Sequence, residues 1–142
     1  MSFEFNYFTD LDNKFPKFLY PHNVGPILPD CTRQYRGVAL QKFKIFNKSP
    51  NNCCGTATGT IIQIENIAFC ERLQIPIVIG REFINKRNFY TIPSESSHVG
   101  VFKVNKLSNL KKWPLSEISI KYVQLPYKNS YVVSSILHCD TL

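Results

Sequence analysis

The sequence predicts an all-β protein. Its expected form is a single compact antiparallel β-barrel, OB-like with additions, or else a β-sandwich or jelly roll, with one or two short helical turns. Three observations point there. Thirty of the 142 residues are Ile, Val or Thr, whereas Ala occurs three times and Met once. Branched side chains fit a pleated surface and lose rotamer freedom in a helix. Apolar and polar residues alternate with period two in several short stretches, which is the pattern of half-buried strands. Nine prolines are spread along the chain and interrupt any long helix.

Taken in order, residues 1–30 read as an extended arm packed on the domain. Pro16, Pro21, Pro26 and Pro29 punctuate it too closely for a helix. Residues 31–142 form the β domain proper. Strand signals begin at Val38, and in Lys42-Phe43-Lys44-Ile45 cations alternate with apolar residues, which places Lys42 and Lys44 on one face. Thr58, Thr60, Ile62 and Ile64 share a face of the next run. The Asn/Ser/Pro/Gly-rich stretch 47–55 between these runs predicts a hairpin. Ile75 to Ile79 is a short apolar strand that Pro76 restricts to an edge or a strand start. Strands are also expected over 89–92, 99–104, 118–125 and 131–137. The last two flank a turn at 126–130 and make the clearest hairpin. Helical turns are expected at 67–73 and 108–113. The sum is about seven strands.

Size and composition limit the class. A chain of this length buries roughly two-thirds of its unfolded surface and needs no metal or disulfide to fold. With 44% apolar, 13% aromatic and 19% charged residues, it is not a disordered tail. No apolar run is long enough for a membrane helix, and Met1 to Tyr7 resembles no secretory leader. The expected location is intracellular, cytoplasmic or nuclear, an infected host cell included, and not secreted. Ile, Asn, Lys, Phe and Tyr fill 56 positions. All five have A/T-rich codons, so an A/T-rich genome fits, as in large insect viruses, some intracellular parasites and some low-GC bacteria.

Chemistry-bearing motifs are scarce. The five cysteines, Cys31, Cys53, Cys54, Cys70 and Cys139, lack a repeated spacing and are expected as free thiols. No pair has metal-ligand spacing. The three histidines stand in unrelated contexts, and no nucleophile elbow, phosphate loop or zincin helix occurs. A non-enzymatic protein without cofactor or metal is therefore expected. Tyr35-Arg36-Gly37, an alternating strand and Asn47-Lys48-Ser49 resemble the Tyr-Arg-Gly strand motif of trimeric dUTPases. That likeness spans residues 35–49, with one extra residue before Asn47. The family's Pro-Arg-Ser-Gly segment and Gly-rich C-terminal arm are absent, and no site residue is carried over.

Charge and aromatic residues carry the functional expectation. Net charge is +7, and residues 31–142 hold fifteen basic residues against six acids. Arg33, Tyr35, Arg36, Lys42 and Lys44 fall in an acid-free stretch, and Lys86-Arg87 stands before Phe89-Tyr90. Cations that track phosphates beside rings that stack bases are what single-stranded nucleic acid requires. The expected function is non-catalytic nucleic-acid binding through those nine residues, with an acidic protein surface as the other partner class. The alternative is a structural or protein-interaction module, such as a viral assembly component or an inhibitor of a host factor. Homo-oligomers are compatible with both.

Overall fold

The computed structural model describes residues 15–136, and the strands run antiparallel throughout. They are β1 (Lys17–His22), β2 (Cys31–Ala39), β3 (Lys44–Phe46), β4 (Cys53–Thr56), β5 (Ile61–Cys70), β6 (Ile75–Asn88), β7 (Val101–Leu107), β8 (Lys111–Pro114), β9 (Ile118–Tyr127) and β10 (Ser130–Ser135). Single 3-10 turns occupy Ser96–Val99 and Leu115–Glu117. Pairing runs β5-β4-β9-β10-β7-β6, and β6 pairs again with β5. The result is a ring of strands rather than a closed barrel, because two strands leave it. The second half of β5 exchanges β4 for β2, which carries β1 and β3. The first half of β6 exchanges β7 for β8.

This divergence depends on a bulge. Ile64 pairs with Gly80 and Asn66 with Ile79, so β5 gains one residue at Glu65. An extra residue bends its strand and increases the local twist. It also reverses the facing of everything beyond it, so Ile62, Ile64 and Ile67 join one buried cluster, whereas Ala68 and Cys70 join another. Gly80 is required opposite the bulge: a Cβ there would lie 2.3 Å from the Gln63 carbonyl oxygen. Glu65 itself accepts a 2.7 Å hydrogen bond from Arg81 Nε.

Asn66 is fully buried and every polar atom of its side chain is used. Nδ2 donates to the carbonyl of Pro26 and to Gln34 Oε1, each at 2.9 Å. Oδ1 accepts from the Ile67 amide and from His22 Nε2, also at 2.9 Å. The histidine tautomer follows from its other nitrogen, since Nδ1 accepts from the Val24 amide. One amide thus ties β1 and residues 22–26 to β5.

Three buried clusters fill the molecule. Ile45, Cys54, Ile62, Val78 and Leu115 lie in the first. Cys53, Ile61, Phe83, Tyr122 and Val133 lie in the second, and Cys31, Cys70, Ile77 and Ile79 in the third. Cys53 and Cys54, adjacent on β4, therefore serve opposite faces of the strand. The Cys31, Cys53, Cys54 and Cys70 thiols are free and buried, and Cys139 lies outside the described residues.

The antiparallel all-β class and the hairpin over β9 and β10 agree with the expectation. Several elements differ. Ten strands are present among the described residues, not seven. Residues 67–70 continue β5 and 111–114 form β8, so neither predicted helical turn exists. Pairing with β2 and β6 for residues 67–70, and with β6 for residues 111–114, overrides the weak helical pattern of each. Residues 47–55 do not close a hairpin, because Cys53–Thr56 is itself a strand between β5 and β9. Ile75 to Ile79 opens a fourteen-residue strand rather than forming a short one, with Pro76 at the strand start, one of its two expected places. Residues 89–92 are irregular, and Lys42 lies in the bend before β3 rather than on a strand with Lys44.

Two outcomes are expected. Asn66→Ala leaves the Gln34, His22 and Pro26 groups without their buried partner, so stability should fall by about 3 kcal/mol in a denaturant melt. Burial holds the Cys53 and Cys54 thiols well above their ordinary value of 9.0 and the Tyr122 phenol above 10.0. The folded chain thus binds these protons more tightly than the unfolded chain does. That stability is complete below about pH 9 and is lost as pH rises through the elevated values. Lys121, lowered by burial and by Lys44, opposes the trend with one partly exposed group. The urea midpoint of reduced protein should decline between about pH 9 and 11; a flat midpoint would contradict the burial of these groups.

Candidate nucleic-acid interface

The residues expected to bind nucleic acid fall on three surfaces. Arg33 lies beside the end of β5, with its guanidinium 4.6 Å from the Phe69 ring centroid and 3.8 Å from Glu71. Its left-handed φ of 51° falls where β2 shifts register against β5. Its charge is already engaged. Tyr35 is half-buried, packed on the first cluster and 4.9 Å from Phe18. It supports β1 more than it offers a stacking face.

The second surface surrounds β3. Arg36 joins Tyr20, Phe46, Asn47 and Lys48 around a depression of about 360 Å³. Lys42 borders a separate apolar dip formed with Phe43 and Leu115. Lys44 stands near Lys121, whose ammonium is pushed down by burial and by that neighbouring charge. Lys121 is a basic residue that sequence patterning left out.

The third surface is the most concentrated, at the far end of β6 from Arg33's neighbourhood. Register places Arg87 directly opposite Lys103, Lys103 opposite Val132, and Val132 opposite Leu125. Like charges facing each other across a ladder are unfavourable. Among the described residues no carboxylate pairs with either. Beside them, the β9–β10 turn brings Tyr127 and Lys128. The Lys103 and Lys128 ammonium groups lie 5.7 and 5.4 Å from the Tyr127 ring centroid. Phe89 meets the same ring edge-on at 5.0 Å, and Tyr90 meets Phe89 at 6.4 Å. Tyr90 is 41% and Phe89 37% exposed, which leaves ring surface for a ligand.

The neighbouring loop is held in place rather than loose. Ser96 Oγ accepts from the Phe89 amide at 2.8 Å and donates to the Val101 carbonyl at 2.8 Å. Asn88 Oδ1 accepts from the Ser97 amide at 2.8 Å. Lys86 donates to the Gly59 carbonyl at 2.7 Å and lies 5.1 Å from the Phe102 ring centroid. With Asn85, Arg87 and Asn105 it lines an open depression of about 450 Å³.

Arg87, Phe89 and Tyr90 thus lie beside Lys103, Tyr127 and Lys128, whereas Lys86, paired with buried Val104, turns its side chain to Phe102 and Gly59 instead. The signal for Lys103 was its place in an alternating Val-Phe-Lys-Val strand. The signal for Tyr127 and Lys128 was a hairpin turn, and neither reveals which strands become neighbours. Among the described residues no three His, Cys, Asp or Glu side chains converge as a metal site would require. No helix there is long and apolar enough to cross a membrane.

The chain belongs to the family described as a domain of unknown function, DUF8592, whose model matches residues 21–136. No curated protein and no solved structure matches the chain. Residues 21–136 include every strand described above except most of β1, so the family's shared unit contains the whole ring.

The two candidate tyrosines should behave differently. Tyr35→Ala removes a ring packed on the core and is expected to cost about 3 kcal/mol of stability. Tyr90→Ala, at an exposed ring, should shift the melting temperature little. Equal losses in the two thermal melts would contradict this assignment.

Proposed function

We propose that this protein is a non-catalytic binder of single-stranded nucleic acid and that the surface around Arg87, Lys103, Lys128, Tyr127, Phe89 and Tyr90 makes the contact. The observation that carries this reading is the Arg87–Lys103 register pair. Two like charges face each other with no acid among the described residues paired to either, beside aromatic rings that remain partly exposed. A phosphate placed between them relieves the repulsion, and a base can stack on the adjoining ring. The overall charge of +7 draws polyanions toward the domain at long range. Arg36, Lys42, Lys44 and Lys121 would act as secondary phosphate contacts, whereas Arg33 is committed to Glu71.

A second reading is a protein-interaction module, and one feature favours it. The same row ends on Val132 and on Leu125, which is 55% exposed, so the cations border apolar surface. Acidic partners with an apolar centre would suit that face.

Fluorescence anisotropy with a labelled oligonucleotide over a salt series tests the first reading. Replacing Arg87 and Lys103 together by Gln should reduce the salt slope by about 1.4, at roughly 0.7 per phosphate contact. Tyr90→Ala should weaken binding by about 1–3 kcal/mol with the slope nearly unchanged. If the wild type binds no oligonucleotide at low salt, the surface serves the second reading.

A further inference from the structure

Among the buried thiols, one pair stands across a strand boundary. Cys31 of β2 is the register partner of Cys70 of β5, and both side chains enter the same cluster with Ala68 and Ile77. The backbone shows which kind of antiparallel pair this is. The Glu71 amide donates to the Asp30 carbonyl at 2.7 Å, the bond that flanks a non-hydrogen-bonded position. The Cys31 amide donates instead to Leu28, and the Cys70 carbonyl accepts from Gln74. The two cysteines therefore exchange no backbone bond with each other. At such positions the Cα atoms approach to about 4.5 Å and the side chains are closest. That is within the span a disulfide bridges without backbone movement.

We propose that Cys31 and Cys70 form an oxidation site, a cross-strand dithiol that hydrogen peroxide converts to a disulfide stapling β2 to β5. In that step both S–H bonds and the peroxide O–O bond break and one S–S bond forms. The two thiols lose two electrons and two protons, and the peroxide leaves as two waters. Peroxide is small enough to reach Cys31, whose residue is 8% exposed, whereas Cys70 is sealed behind it. Lys112 Nζ, 3.8 Å from Cys70 Sγ, places positive charge beside the sulfur that gives up its proton as it closes on the oxidised Cys31 sulfur. Cys53 and Cys54 have no such option, because they face separate clusters. The site lies where β2 joins the ring, so the bond fixes the strand that carries β1 and β3. It works on the fold and is independent of any nucleic-acid ligand.

The test starts from the fully reduced whole chain, treated with stoichiometric hydrogen peroxide, denatured and alkylated, then digested without reductant and mapped by mass spectrometry. The expected product is a peptide pair joined through Cys31 and Cys70, with Cys53 and Cys54 alkylated. The melting temperature should rise by roughly 10 °C, as a staple closing a loop of this length predicts, and dithiothreitol should reverse it. Cys139→Ser should form the same link, and Cys31→Ser should form none. Alkylation of both cysteines, a link to Cys139 instead, or a link that leaves the melting temperature unchanged would each overturn the proposal.

Discussion

The single inserted residue in β5 governs the rest of the architecture. Before Glu65, the strand lies between β4 and β6 as part of the ring; after it, the strand lies between β2 and β6. A regular strand would have kept alternate residues on fixed sides. Ile67 would then face away from Ile62 and Ile64, and the isoleucines could not share one core. Asn66, next to the insertion, turns the local irregularity into an anchor. A bulge frees backbone groups that a regular ladder would pair, and here the Ile67 amide is capped by the Asn66 side chain. The rest of that amide holds Pro26, Gln34 and His22, so the same residue that permits the bend fastens the N-terminal strand across it.

Opposing terms meet at this position. Burying an amide costs several kcal/mol when it is unsatisfied, and this one is satisfied on every atom. Other buried amides are less complete. Gln124 Nε2 donates to Gln63 Oε1 at 2.8 Å, yet Gln124 Oε1, Asn105 Oδ1 and Asn52 Oδ1 have no partner among the described residues. These amides are thus less fully paired than the one that joins the flap through Asn66. Asn105 is also where the interior meets the basic surface.

That surface shows how charge is distributed by fold rather than by composition. Most acids of the described chain are paired: Glu65 with Arg81, Glu71 with Arg33, Asp30 with Arg72 and Glu82 with Lys111. The excess positive charge consequently collects where none of these paired acids lies, on the β6–β7–β10 face and around β3. Surface ion pairs contribute little to stability individually. Their effect here is to leave the uncompensated cations in particular places.

Local chemistry alone determined the all-β class, the hairpin at Lys128 and Asn129, and the basic-aromatic character of residues 86–90. These are properties of period, turn residues and neighbours in sequence, and short-range patterns carry them. Only the tertiary structure decided that residues 67–70 and 111–114 are strands, because their conformation depends on partners 31 to 39 residues away in the chain. It also decided that Arg33 and Tyr35 are committed to Glu71, Phe69 and Phe18, whereas Lys103, Tyr127 and Lys128 join Arg87. Which side chain stands beside which is a matter of strand order and register. A one-residue bulge changes both without leaving a periodic signature in the sequence.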